Sequence, residues 1–420
     1  MVLRRSTGLL DLLLRYTAYE HDASNSVRRA VSARAPRVGA PIWNVGVSCL
    51  GSLVVLSTCC IVGLLVFGAS LEAVLIGGVL AVIVAPLYAV FLLWLDPLEH
   101  EPPWLLLIAL LWGAGVGTLV GGFSTLALDV IARGLFGASE AISDAASTVI
   151  FAPVTEELAK GAFLLFLFAF ARHEFDDVVD GIVYGGLVGL GFAVVEDFSY
   201  YLMTLAEEGL AATGVLFVIR GLLTGFGHPF YTALTGLGCG LARSTRSVSL
   251  RTLAPIGGLA AAMFFHALWN GLAVATAATE NVVLGLVVLV GYPFGILLPG
   301  ALTLTIVAVV AARRRRRDVR RYLEEAVREG LAQSDDLDTL TRPWRRRGRQ
   351  FRVLMASGWR AFWLRRRLDI ALVDWAYRRW HQARGDRLPR YLAAFESEAL
   401  EMRIRRWRTE LDRLQTARVS

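Results

Sequence analysis

Residues 152–163, APVTEELAKGAF, set Glu156, Glu157 and Lys160 inside an otherwise apolar run. An ionisable side chain at bilayer depth costs about 2.5–3.5 kcal/mol on insertion scales, so such residues mark a partner or a task. Three similar pieces follow. VEDFSYY carries Glu196, Asp197 and Tyr200, GFGHPFYT carries His228 and Thr232, and FFHALWNG carries His266 and Asn270. Residues four apart share a helix face. That spacing pairs Glu156 with Lys160, Glu196 with Tyr200, His228 with Thr232, and His266 with Asn270. Glu157 stands about 100° round the helix from Glu156. The two carboxylates therefore cannot serve one spot equally. One is expected to face the site and the other to brace a neighbouring helix.

These residue types narrow the chemistry. No HExxH helix is present, because His173-Glu174 leads to Asp177 where a second histidine would stand. No GxSxG elbow appears, which removes serine hydrolysis. Cys49, Cys59, Cys60 and Cys239 lack metal-site spacing and read as small core residues. Carboxylate-plus-imidazole chemistry is left. A glutamate could deprotonate water while His and Asn donors stabilise an oxyanion. Alternatively, Glu196, His228 and His266 could hold a divalent metal such as zinc that activates the water. Both routes are hydrolysis in a shielded pocket. Glu/His chains in spans also serve proton relays, so a proton- or ion-coupled transporter is the second class. A catalytically inactive membrane scaffold is the third. A transporter favours inverted repeats with broken helices in matching halves, and no such halves are visible in the sequence. Of the 43 basic residues, Lys160 is the one lysine; the other 42 are arginine. A compact ammonium differs from a planar guanidinium, so a lysine retained against that bias reads as a site that needs it.

The elements that must position these residues are membrane helices. The 420 residues are 55% hydrophobic, with a mean hydropathy of +0.53, too apolar for an ordinary soluble protein. Eight stretches reach the roughly 20 residues that cross a bilayer: 45–68, 72–94, 104–133, 141–171, 179–203, 211–242, 253–278 and 282–312. The expected fold is an all-α polytopic bundle. It divides into a basic N-terminal segment 1–44, a membrane-embedded domain 45–312 and an Arg-rich helical tail 313–420. No cleavable signal peptide is evident, and the first span is expected to act as an uncleaved signal. Arginines before the first span, after spans four and six, and at 313–317 fall on one side of an eight-span chain, which predicts cytoplasmic termini. The net charge of +7 conceals a split. Residues 313–420 hold 29 basic and 15 acidic residues, whereas the remainder is acidic. A basic helical tail directly after a span points to anionic lipid headgroups. Nucleic acid is the lesser reading for interleaved Arg and Trp.

In order and spacing these motifs resemble the PrsW family of membrane proteases, distant relatives of the CAAX prenyl proteases, over roughly residues 94–275. LDPLEHEPPW is similar to the acidic, proline-rich loop before the family's core spans, and VTEELAK to its EExxK motif. EFDDVVDGIVYGGLVGLGFAVVED resembles the next loop and helix. GHPFYTALTG and FHALWNG resemble the two histidine motifs. One departure is Asp197, where the family usually has Asn. The resemblance implies an eight-helix intramembrane peptidase of the bacterial cell membrane that acts on membrane-anchored proteins, including regulated cleavage of anti-sigma factors. It points to Glu156, Glu157, Glu196, His228, His266 and Asn270 as site residues. Lys160 joins them as the group offsetting the Glu156 charge. The cofactor stays open between a divalent metal and glutamate-activated water.

Overall fold

A computed structural model describes residues 40–96, 101–171, 174–279, 281–384 and 395–416. The N-terminal arginines to residue 37, the PLEH of the acidic loop, and Arg172 and His173 lie outside the described residues. Within them every regular element is helical. In order these are α1 (Ala40–Val66), α2 (Leu71–Ile83), α3 (Ala85–Leu95), α4 (Pro103–Leu111), α5 (Thr118–Phe136), α6 (Glu140–Ala146), α7 (Ala152–Phe170) and α8 (Val178–Glu207). There follow α9 (Leu210–Phe217), α10 (Gly227–Ser244), α11 (Val248–Thr279), α12 (Val282–Tyr292), α13 (Leu298–Arg328), α14 (Ser334–Leu340), α15 (Pro343–Arg384) and α16 (Phe395–Thr416). Wider π turns at Trp112–Gly117, Ser147–Phe151 and Pro293–Leu297 join α4 to α5, α6 to α7 and α12 to α13 as continuous rods. A fourth, Val218–Leu223, follows α9 and ends in a turn before α10.

Seven rods among the described residues are long and apolar enough to cross a membrane. The expected eighth, 141–171, coincides with the rod Glu140–Phe170. Glu156, Glu157 and Lys160 keep it less apolar than its neighbours, which is the signature that drew attention to it. The outer surfaces of the bundle carry large apolar side chains such as Leu56, Leu87, Phe123 and Leu135. Such a surface suits lipid rather than water, and the protein is an integral membrane protein.

α8 is the central element. Its N-terminus is fixed by a capping box in which Asp177 accepts from the backbone of Val179 and Asp180, and Asp180 reaches back. Nearly every residue from Val178 to Phe198 is buried. A stripe of glycines at a spacing of four lets α8 and α10 touch backbone to backbone. A Cβ on Gly181 would stand 2.1 Å from the Gly236 carbonyl oxygen, and one on Gly189 would stand 2.2 Å from that of His228. Close approach through small residues is how membrane helices gain packing without a hydrophobic drive. It also brings the Glu196 and His228 helices together.

The end of α8 that carries Asp177 holds a second charged knot. Arg315, third in the run RRRRR, is buried on α13 and does not face lipid headgroups. Its Nε donates to Asp177 Oδ2 at 2.6 Å and its other nitrogens to Asp180 Oδ1 at 3.0 Å and Asp96 Oδ2 at 3.1 Å. Beside it, Tyr184 donates to Glu101, and burial holds the Glu101 carboxyl well above the ordinary carboxylate range. The expected boundary at 312 thus falls inside one continuous helix, and the compact unit that holds the spans runs Cys49–Arg352.

Residues after 352 belong to a second unit, described by itself. Its α16 lies along α15, with Trp375 Nε1 donating to Glu401 at 3.0 Å and Arg360 to Glu410 at 2.7 Å. α15 bends at Gly358, whose φ of 83° is left-handed backbone that glycine adopts without strain.

Candidate active site

α7 presents its two glutamates differently. Glu157 is completely buried, and its carboxylate is fully engaged. Lys160 Nζ lies 2.6 Å from Oε1, His266 Nδ1 lies 3.1 Å from the same oxygen, and Thr232 Oγ1 donates to Oε2 at 3.2 Å. Glu156 is partly open. Its Oε2 has no hydrogen-bond partner, though Lys160 Nζ stands 4.0 Å away and His266 Nε2 3.9 Å away. Of the two, Glu156 keeps an unpaired oxygen beside the imidazoles and Glu157 braces α10 and α11. Lys160 therefore neutralises Glu157 first, whereas the spacing of four had assigned it to Glu156. The ammonium is enclosed on its remaining sides by His228 Nδ1 at 3.2 Å and the Phe192 ring at 3.9 Å.

A second chain of contacts enters from α8 and the π turn after α9. Glu196 Oε2 accepts from His228 Nε2 at 2.8 Å and from Arg220 at 2.5 Å. Arg220 also donates through Nε to Asp197 Oδ1 at 2.7 Å and lies 3.9 Å above the Tyr200 ring. Asp197, the departure from the family motif, is thus one half of an ion pair. Arg220 escaped the sequence reading. The available signal was a lone arginine in the apolar run LFVIRGLLTG, which deserved the same weight as EELAK.

An ammonium only donates, so the contacts assign His228 as acceptor at Nδ1 and donor at Nε2. Likewise His266 donates from Nδ1 to Glu157 and keeps the Nε2 lone pair. The two imidazoles meet edge to face at 4.9 Å, and His266 stacks on Tyr231 at 5.2 Å. Asn270 is not brought into this group. Its amide donates to the Thr148 carbonyl at 2.9 Å, satisfying a backbone group in the π turn Ser147–Phe151, where the α-helical ladder is broken. Helical spacing put Asn270 on the His266 face, but the side chain reaches sideways to the α6–α7 rod.

Metal-ligand atoms of Glu156, His228 and His266 all lie within 4.8 Å of one another. Glu196, the carboxylate expected in that trio, is instead taken up by His228 and Arg220. The residues present fit a divalent cation on three grounds. The donors are two imidazoles and one carboxylate, a common open catalytic set. Each imidazole has a carboxylate on its other ring nitrogen, the arrangement that orients metal-bound histidines. Four carboxylates (Glu156, Glu157, Glu196, Asp197) face two fixed cations, so the site is formally short of two positive charges. An ion there would take over one contact of Lys160, that to His228 Nδ1, and leave its bond to Glu157.

Residues 101–317 match the family described as PrsW family intramembrane metalloprotease. Protease PrsW of Geobacillus kaustophilus (strain HTA426) is 34% identical over 101 residues, which cover 24% of this chain and 41% of that protein. The chain thus spans about two fifths of the length of that curated relative. No solved structure matches the chain.

Proposed function

Because this chain belongs to the PrsW family of intramembrane metalloproteases, we propose that it is an endopeptidase that hydrolyses membrane-anchored proteins at the Glu156–His228–His266 group. The observation that carries the reading is the unpaired Glu156 Oε2, 3.9 Å from the free nitrogen of His266. Glu156, His228 and His266 would hold a divalent ion, which when bound acidifies a water and polarises the scissile carbonyl. The protein's own groups do the rest. The Glu156 carboxylate takes one proton from the attacking water. The water oxygen forms the new C–O bond, the C–N bond breaks, and Glu156 returns the proton to the leaving amine. Glu157 holds His266 by its Nδ1–H, and Glu196 holds His228 by its Nε2–H. Lys160 holds the Glu157 carboxylate in place, and Arg220 does the same for Glu196.

The test is purified protein in liposomes with a membrane-anchored reporter. Glu156→Gln keeps size but loses both the base and an anionic ligand, so fragments are expected to vanish and bound zinc to fall while the protein stays inserted. His228→Ala and His266→Ala are expected to lose both cleavage and bound zinc, measured by elemental analysis. Equal cleavage by wild type and Glu156→Gln would falsify the reading. Chelation that leaves cleavage and zinc content unchanged would return the chemistry to glutamate-activated water alone. A transporter would show ion-coupled uptake and no fragments in any variant. The tail, with Met355, Trp359 and several arginines exposed, is assigned to anionic headgroups. Vesicle binding that ignores salt and lipid charge would refute that assignment.

A further inference from the structure

The rod formed by α12 and α13 begins after the last motif that drew attention to the site. Tyr292, the final residue of α12, is nonetheless buried. Its hydroxyl donates to the Phe265 carbonyl of α11 at 2.7 Å and lies 2.7 Å from the Tyr231 hydroxyl of α10. A hydroxyl carries one proton. Tyr292 gives its proton to Phe265, so Tyr231 is the donor in the second bond. The chain is thus directional, from Tyr231 through Tyr292 to the residue before His266. Trp269 packs on the Tyr292 ring at 4.9 Å, and Pro293 opens the π turn of the rod directly after it.

Tyr231 carries this chain to the imidazoles. Its ring lies face to face with His266 at 5.2 Å and 15°, and it meets His228 edge to face at 5.8 Å and 79°. Among the described residues, no Phe, Tyr or Trp ring other than Tyr231 meets both imidazoles. The torsion that turns a histidine ring is broad. Glu157 holds His266 at Nδ1 at 3.1 Å, and one hydrogen bond fixes a point better than a plane. A stacked ring fixes the plane, and the Nε2 lone pair lies in that plane. The aim of Nε2 at Glu156, 3.9 Å away, therefore depends on where Tyr231 stands. The contacts close a loop from the His266 ring through the two tyrosines to the Phe265 carbonyl and back to the His266 backbone.

We propose that Tyr231 is a positioning residue for His228 and His266, and that Tyr292 on the last span is the clasp that fixes it. The last span is then a working part of the site and not only its wall. The inference rests on the hydrolase reading above.

The test uses the full-length protein in liposomes with the membrane-anchored reporter, and zinc affinity read by competition with a chelator. Tyr231→Phe keeps the ring and deletes the hydroxyl. It is expected to lower kcat about tenfold with KM unchanged, and to weaken zinc binding about tenfold, the lower end of the loss when a group that orients a metal ligand is removed. Tyr292→Phe strands the buried Tyr231 proton, so it is expected to match those losses and also to lower the unfolding midpoint. Both act through one link, so the double variant is expected to be no worse than Tyr292→Phe. Tyr201→Phe deletes a buried hydroxyl that has no hydrogen-bond partner, and it is expected to change neither kcat nor zinc affinity. Wild-type kcat and zinc affinity in Tyr231→Phe overturn the positioning role, whatever its midpoint. Losses in Tyr231→Phe that Tyr292→Phe does not share, or that add to about a hundredfold in the double variant, overturn the clasp. The hydrolase reading fails separately, if the wild type binds zinc but cuts no reporter; the zinc affinities of the variants then decide the clasp. If the wild type cuts with no zinc bound, the metal falls and kcat decides it.

Discussion

Lys160 has the least room of any residue in the site. Its ammonium touches Glu157, His228 and the Phe192 face, and none of the side chain is exposed. A guanidinium is larger and planar, so Lys160→Arg is expected to insert normally yet cut at least about 100-fold more slowly, the scale of a displacement of about 1 Å. Full activity in that variant would make the lone lysine incidental. Asn270 should behave differently, because it supports a backbone turn and touches no acid or base. Losing one neutral hydrogen bond is worth about 1 kcal/mol, so Asn270→Ala should cost roughly fivefold in kcat/KM; complete loss would place it in the chemistry. The difference shows how far residues could be read from spacing. Glu156, Glu157, His228 and His266 were legible because charge at bilayer depth is costly. The division of labour between the glutamates was legible only as a pair of options, since it depends on which neighbour each helix face meets. Arg220 was overlooked, and so was its claim on the Glu196 oxygen that had been expected in the ligand trio.

Helix packing rests on glycines from both sides of the crossing between the α4–α5 rod and α8, which hydropathy does not reveal. A Cβ on Gly113 would stand 1.8 Å from the Val188 carbonyl oxygen, and one on Gly191 would stand 1.8 Å from that of Leu110. Backbone cannot yield as a flexible side chain does. Gly113→Ala and Gly191→Ala are each expected to destabilise the bundle by at least about 1–3 kcal/mol, the scale of overpacking. Gly122→Ala, with open space around it, should be neutral. Thermal unfolding in detergent separates the three, and equal midpoints would mean the crossing is looser than described. Seven of the eight expected rods meet the test of apolar length among the described residues, and the eighth, Glu140–Phe170, carries the ionisable residues instead. The π turns and the breaks at Val84 and Thr224–Phe226 were not legible in the sequence, because they answer to tertiary contacts such as Asn270 on Thr148.

For the whole molecule, the arginine distribution predicts that tags at both termini are cytoplasmic and that a tag in 204–210 is exposed outside. A C-terminal tag cleaved by protease on intact cells would reverse the orientation. One arginine must be left out of that count. Arg315 is buried among Asp96, Asp177 and Asp180, and removing one partner of such a knot costs about 3–5 kcal/mol. Arg315→Ala should therefore lower the unfolding midpoint markedly, whereas Arg317→Ala should not. A run of five identical residues hides this distinction, because only the phase of α13 decides which guanidinium turns inward.

The same knot has a consequence for how the protein is made. Arg315 lies 135 residues after Asp180 and 219 after Asp96, so the ribosome delivers the carboxylates long before their cation. Until the last span has been synthesised, Asp177 and Asp180 at the start of α8, the helix that carries Glu196, lack the Arg315 guanidinium. The start of α8 is therefore expected to close only once the last span has been made. Chains stalled before residue 315 are expected to insert their earlier spans but to be cut readily by added protease near 174–180. Chains stalled beyond 328 are expected to resist, and equal sensitivity in the two would show that the start of α8 closes without Arg315.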